Sequence, residues 1–481
     1  MRSGRRSGRA GRRSWRQRPA EGEADEGGGA GLRYRKVHFV GIKGTGMSAV
    51  AQILKANGVV VTGSDVDRSF PTDAGLKAAG IVPYRGFDPA HVGDADLVVV
   101  SAAYGPDHPE VLEARRRGVP VKQYPEFLGE MMRSKRGIAV AGTHGKTTTT
   151  AIIAHVLQKA GLDPQAVIGM GQAYAGRGDL LVAEACEYRR HFLNFRAEIA
   201  VVTSIELDHP DYFESLEDYE AAFREFAAGL PPDGLLVCWG DDPRVASLPT
   251  RARRVTYGYG PDNDYRLELL GPGQRNRFRV WRRGESLGEF RLGVPGSHNA
   301  LNSVAAMAVT LELGVGVETV REALACFRGV RRRFEYVGEC NGAQVFDDYA
   351  HHPTAIETTI QAVRDALPDK CLWVAFQPHT YSRTKALLDE FAAALAKADR
   401  VILAEIFASA REQGGAGVSS RDIADRIPGG PEKTAYFKTL REIVEHARSR
   451  LGPGDVFVTM GAGDIYHVAY ALVGKQELAA G

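Results

Sequence analysis

The sequence has little of what would place it in a specialised class. No apolar run is long enough to span a bilayer, which excludes an ordinary transmembrane helix and predicts no membrane partner. Only five cysteines occur in 481 residues (Cys186, Cys238, Cys326, Cys340 and Cys371), scattered and without paired metal-ligand spacing. A disulfide framework is excluded on that count, and reduced thiols in the cytoplasm are expected. Neither sign of charge dominates: 61 Lys and Arg against 59 Asp and Glu leave a formal net charge of +2. That balance supplies no overall field for nucleic acid, which is not expected as a partner. No self-similarity of solenoid period is found either.

What is present is ordinary globular material. At 44% hydrophobic and 25% charged, the chain can bury cores, and its 481 residues predict roughly three of them rather than one. Residues 1–33, rich in Arg, Gly and Ser, cannot bury enough apolar surface to offset ordering entropy. They read as a disordered tail or a translation start set too far upstream, with an RNA- or membrane-touching arm as the alternative. From Tyr34 onward, short β-branched runs ("KVHFVGI", "VVVTGSD", "DLVVVSAA") alternate with helical spacing that ends at glycines. The same alternation returns after Arg136 and again after Gly329. Three α/β domains in series are predicted, over 34–135, 136–328 and 329–481.

The central segment carries "AGTHGKTTTT", residues 141–150, between an apolar strand pattern and a helical one. Gly142 and Gly145 allow the backbone N–H groups of Thr143, His144 and their neighbours to turn around an anion. The following helix adds its positive end, Lys146 would reach the β- and γ-phosphates, and Thr147 would sit on Mg²⁺ with Thr148 beside it. Two residues separate the glycines, where the common nucleotide loop has four. Downstream, Glu184 and Glu187 in "VAEACEY" and His209 after Asp208 in "VVTSIELDHP" are candidates for the metal shell, at the carboxyl ends of predicted parallel strands.

The first segment has its own glycine turn, "GIKGTGMS", with Gly41, Lys43, Gly44, Thr45 and Gly46 opening the first helix. Its G-x-x-G-x-G spacing is one glycine away from the dinucleotide fingerprint. Ser64 and Asp65, ending the second strand, are placed to meet a ribose hydroxyl. A dehydrogenase would leave the ATP-type loop of the next domain without a purpose.

Eight motifs in fixed order make the pattern specific: "HFVGIKGTGMS", "GTHGKTTTT", "EACEYRRHFLNF", "ELDHPDYF", "VPGSHNALNSVAA", "RRRFEYVG", "VFDDYAHHPT" and "FQPHTYSRT". From about Tyr34 to Val473 the chain resembles the Mur ligases, which build the peptide of bacterial cell-wall precursors. The resemblance implies an N-terminal Rossmann-like domain for a UDP-sugar, a central P-loop-type ATPase domain and a C-terminal Rossmann-like domain that brings the amino acid. It implies ATP and Mg²⁺ as cofactors. Within the family it points to the branch that joins L-alanine to the lactyl carboxylate of UDP-N-acetylmuramate, working as a monomer or weak homodimer.

Carried over residue by residue, the resemblance makes Gly142 to Thr148 the ATP loop, with Glu184 and His209 as Mg²⁺ ligands. His298, Asn299 and Asn302 resemble the nucleotide-contacting motif, although Ser297 could be a plain helix cap. Arg333 would reach the phosphates from the domain junction. Asp348, Tyr349, His351 and His352 would lie near the adenine and the incoming amine, with His351 or His352 as base. Arg383 is the basic residue of "FQPHTYSR", read either as a site residue or as a solvated helix charge. Cys186 and Thr380 stand where many relatives have aspartate and arginine. Two other readings remain at this point: a sister ligase that attaches an intact tripeptide, and a nucleotide-gated regulatory ATPase.

Overall fold

The computed structural model describes residues 33–271, 276–408, 412 and 417–476. The expected tail of residues 1–33 lies, but for Arg33, outside the described residues.

Three sheets organise the chain. The first has five parallel strands in spatial order Tyr84–Arg85, Val60–Asp65, Lys36–Val40, Leu97–Val100 and Val121–Gln123. Strand order reverses beside Lys36–Val40, and the crevice this opens at the carboxyl ends is the usual ligand position of such sheets. "GIKGTGMS" fills that corner.

The second sheet, ten-stranded, has a parallel middle in which Arg136–Ala141 lies between Leu180–Glu184 and Ile199–Val202. Its strands read as unbroken apolar runs because helices cover both faces: Ile138, Val140, Val182 and Val201 are fully buried. Beyond Tyr265–Leu269 the sheet turns antiparallel through Arg277–Arg282 and Glu285–Arg291, as the polar alternation there predicts. The third sheet has six strands, five parallel and one antiparallel at its edge, Glu335–Cys340.

The sheets are not joined alike. The helix Tyr124–Arg133 runs from the first sheet toward the second, and Phe127, Leu128 and Met131 share one apolar cluster with Phe39 on one side and Phe192 on the other. Gly129 lies so close to Asn194 that a Cβ would sit 2.2 Å from its carbonyl oxygen. The third sheet keeps separate apolar clusters and meets the central domain largely through polar side chains. Apolar docking resists sliding, whereas polar contacts can be exchanged for water, so the C-terminal domain is the part able to open. No described helix is long and apolar enough to cross a membrane.

Two local expectations are corrected. The strand expected to run through "EIAVVTSIELDH" stops at Val202, because its neighbour ends at Ala141 and Gly142 turns away with φ 130°. Beyond it, Thr203 N–H still bonds to the Ala141 carbonyl at 3.0 Å, while its hydroxyl lies in hydrogen-bond range of the Ala141 and His144 carbonyls and ties the segment to the loop. His209 therefore stands in a loop, at φ 57°, and not at a strand end. Ser297 is the first helical residue of Ser297–Glu312 and not its cap; the capping position is Gly296, at φ 102°.

Candidate active site

The phosphate loop joins strand Arg136–Ala141 to helix Lys146–Lys159. Both its glycines are required. A Cβ on Gly142 would lie 2.0 Å from Thr203 Oγ1, and one on Gly145, at φ 79°, would lie 2.4 Å from Asn302 Oδ1. Thr143 donates its hydroxyl to the Glu206 carbonyl at 2.8 Å, and Thr148 is buried in the first turn of the helix. The Lys146 ammonium turns back onto the Gly142 and Thr143 carbonyls and pairs with Glu187 at 3.0 Å. Burial opposes its charge, but the negative groups around it, Glu187 foremost and Glu184 among them, together outweigh that and hold Lys146 above its ordinary value.

Around the loop stand the oxygens a hard cation would use. Thr147 donates its hydroxyl to Glu184 Oε2 at 2.8 Å, and Arg333 reaches across from the C-terminal side to Thr147 Oγ1 at 3.2 Å. Glu187, Asp208 and His209 form a second group whose ligand atoms all lie within 4.8 Å of one another. His209 Nε2 is 3.7 Å from Glu187 Oε1 and from Asp208 Oδ2. Glu187 Oε2 is buried and accepts no hydrogen bond, although it lies in ion-pair range of Lys146. Carboxylates gathered this closely, one with an unsatisfied oxygen, fit Mg²⁺. The expected ligand set is thus divided: Glu184 goes with Thr147, while His209 goes with Glu187 and Asp208.

The C-terminal domain closes the site from above. Arg383, far from being a solvated charge, is buried and donates to Asp208 Oδ1 from Nη2 at 2.7 Å and from Nε at 3.1 Å. Burial alone would raise the Asp208 carboxyl; the charges of His209 and Arg383 overcome it and hold Asp208 well below the usual range. His351 places Nδ1 2.9 Å from the Tyr349 carbonyl. A carbonyl only accepts, so the proton is on Nδ1 and Nε2 keeps a lone pair. Burial, then the Arg383 charge, keeps the His351 imidazole neutral. His352, also buried, has neither ring nitrogen hydrogen-bonded.

The nucleotide-contacting candidates divide. Asn302 abuts Gly145, and Nδ1 of His298 is buried without a partner, its basicity pushed down to about 4 by burial and by Arg333. Asn299 is occupied locally, donating to the Pro295 carbonyl at 2.6 Å. Asp348 accepts from the backbone N–H groups of Phe334 and Ala350, both at 2.7 Å, so it braces the entry to the third domain. Burial raises its carboxyl to about 6 even with Arg333 nearby. A cavity of about 470 Å³ opens at this junction, lined by Val294, Pro295, Arg333, Phe334 and Phe346 among others.

In the first domain, Gly41 packs under Tyr104 and Gly46 under Tyr124, where a Cβ would come within 2.6 Å and 2.2 Å of the rings' side chains. Gly44 donates to the Gly41 carbonyl at 3.1 Å, closing the turn before the helix that starts at Thr45. Lys43 is tied to the Val66 and Arg68 carbonyls. Ser64 and Asp65 face inward: Ser64 donates to Glu110, and Asp65 accepts from the Lys43 and Val66 amides at 2.8 Å each. They hold the glycine turn in shape.

Family models match three consecutive stretches: residues 36–136 as "Mur ligase family, catalytic domain", 140–310 as "Mur ligase middle domain" and 332–463 as "Mur ligase, glutamate ligase domain". A UDP-N-acetylmuramate–L-alanine ligase of Desulfitobacterium hafniense is 47% identical over 91% of this chain and 99% of its own. The chain belongs to the Mur ligase family. A second ligase of that name, from Salinibacter ruber, is 43% identical over 92% of this chain and 95% of its own. Among solved structures, the UDP-N-acetylmuramate-alanine ligase MurC of Thermotoga maritima superposes with a TM-score of 0.77 at 30% identity, over 91% of this chain and 98% of that one. The murein peptide ligase mpl of Psychrobacter arcticus superposes less well, with a TM-score of 0.68 at 26% identity, over 93% and 100%.

As a Mur ligase, this chain is an ATP-dependent ligase of three α/β domains. Sequence reasoning overlooked Glu206 and the two hydroxyls beside the site: Tyr219, which donates to Glu187 Oε1 at 3.2 Å, and Thr354, which donates to Glu206 Oε1 at 2.7 Å. Glu206 lies within the quoted "ELDHPDYF", so its position was visible there; Tyr219 and Thr354 offered no signal, being a helix residue and a hydroxyl like many others.

Proposed function

We propose that this Mur ligase joins L-alanine to the lactyl carboxylate of UDP-N-acetylmuramate at the expense of ATP, in cytoplasmic peptidoglycan precursor synthesis. The first domain would hold the UDP-sugar at the "GIKGTGMS" corner, the central domain ATP at Lys146, and the C-terminal domain the amino acid. The tripeptide-attaching alternative is not favoured, since the relatives 41–47% identical over nearly the whole chain bear the alanine-ligase name. Neither they nor the fold favour a regulatory ATPase.

The chemistry explains the site. A carboxylate resists amine attack because it has no leaving group. Phosphoryl transfer from ATP gives an acyl phosphate, and the amine of alanine then displaces phosphate through a tetrahedral oxyanion to leave the amide. Carboxylate and triphosphate, both anions, must be pressed together, and Lys146 and Arg333 offset their repulsion. Thr147, Glu184, Glu187, Asp208 and His209 are the residues that would hold Mg²⁺, which spreads the charge of the transferring group. His351, neutral and with a lone pair on Nε2, is suited to receive or orient the ammonium proton of alanine. Closure of the C-terminal domain excludes water and aligns three substrates, an advantage of roughly 7–11 kcal/mol in the barrier when orientation is complete.

The observation that carries this reading is the Arg333–Thr147 contact, 3.2 Å across two domains onto the phosphate loop, in a chain with relatives of that activity. Purified protein given Mg²⁺, ATP, UDP-N-acetylmuramate and L-alanine should form the conjugate, identified by mass, with one phosphate released per amide. Glycine, serine and the tripeptide are the comparison amines. Absence of any amide product with alanine would overturn the reading.

A further inference from the structure

Glu206 has no part in the chemistry above, yet it gathers side chains from two domains. Its Oε2 lies 2.7 Å from His144 Nε2, and its Oε1 accepts the Thr354 hydroxyl at 2.7 Å. The His352 ring stands 5.1 Å from that of His144, and the ligand atoms of His144, Glu206 and His352 all lie within 4.8 Å of one another. His352 is only 4% exposed, and neither of its ring nitrogens has a hydrogen-bond partner. Buried polar atoms are seldom left so, and an imidazole with both nitrogens idle beside a second imidazole and a carboxylate points to a missing ligand.

We propose that His144, Glu206 and His352 bind a divalent transition-metal ion of the zinc class, at a site assembled only when the C-terminal domain closes on the central one. Two imidazoles and one carboxylate make a three-ligand set that leaves a further position open. Mg²⁺, which demands oxygen, is poorly served by it, whereas imidazole suits zinc, nickel, copper and iron. The neighbouring Glu187, Asp208 and His209 have the opposite balance, two carboxylates to one imidazole. The Thr354 hydroxyl fixes the Glu206 carboxylate from behind, as partners of metal-binding carboxylates do. His144 and Glu206 side chains are 27% and 42% exposed, which leaves an entry path.

An ion bridging both domains favours the closed state and so opposes product release. The site is a regulatory clamp beside the phosphate loop.

The test is a Co²⁺ titration of the full chain in excess Mg²⁺ and ADP, read by visible absorption and by metal retained after desalting. One ion per chain is expected, with affinity lowered at least roughly 10-fold in Glu206→Gln and in His352→Asn but not in His209→Asn. Small-angle scattering should show Zn²⁺ compacting the wild type and not Glu206→Gln. The proposal is overturned if Co²⁺ binding is lost in His209→Asn and kept in Glu206→Gln, or if no Co²⁺ is retained at all. Glu206 is part-exposed and its amide is isosteric, so that variant decides the matter even if His352→Asn does not fold. Binding is read without ligation, so failure here leaves the proposed activity standing.

Discussion

Arg383 and Asp208, 175 positions apart in the chain, form a buried pair in which Nη2 lies 2.7 Å from Oδ1 across the central and C-terminal domains. Asp208 neighbours His209 and Glu187, so a residue of the C-terminal domain is tied directly to the candidate metal-binding group. Removing one partner of a buried pair typically costs about 3–5 kcal/mol, because the other charge is left uncompensated. Arg383→Met should therefore weaken closure and lower kcat/KM by on the order of 100-fold or more. Asp208→Asn/Arg383→Met together should lose less than the sum of the two, measured as a double-mutant cycle.

Lys146→Ala should reduce amide synthesis by roughly 100- to 1,000-fold, the loss expected for one preorganised charge at a transferring phosphoryl group. Lys146→Arg should not restore it, since the ammonium is enclosed by the Gly142 and Thr143 carbonyls and Glu187. Full synthesis by the alanine variant would contradict the assignment of the loop.

Gly145→Ala combines an unfavourable φ with a Cβ 2.4 Å from Asn302 Oδ1. The left-handed conformation alone costs a non-glycine residue roughly 1–2 kcal/mol. The variant should melt lower and bind ADP more weakly by calorimetry. An unchanged ADP affinity would mean that the loop does not form the phosphate cradle.

His298 is pushed down to about 4 from an ordinary 6.5, and His351 lies well below 6.5. In the window between pH 4 and 6.5 the unfolded chain binds protons at these sites that the folded chain refuses. Stability is fully present above pH 6.5 and falls as the medium is acidified toward pH 4. Urea titrations across that window should show a shallower loss for His298→Asn. An identical slope would rule out His298 as a contributor.

If His351 serves the amine, its neutral form persists below pH 6.5, and the acid limb of kcat should lie under that value. His351→Ala should lower kcat at saturating ATP with little change in the KM for ATP. A loss confined to KM would assign His351 to binding alone.

Local sequence determined whatever a short segment can encode. "GTHGKTT" has two glycines, a lysine and a threonine between a strand and a helix, and that pattern is complete within one turn of backbone, so the loop and its place between the two elements could be read directly. The parallel sheets were legible for the same reason: apolar runs of strand length covered by helices have few other arrangements. Tertiary structure decided the rest, because it brings loops from different domains to one point. Glu206 could not be linked to Thr354, 148 positions away, nor Arg383 to Asp208, 175 away, with no pattern between them. Ser64 and Asp65 looked ready for a ribose, but the fold turned them onto Glu110 and the Lys43 amide, since a glycine turn must first be held in shape before it can hold a ligand.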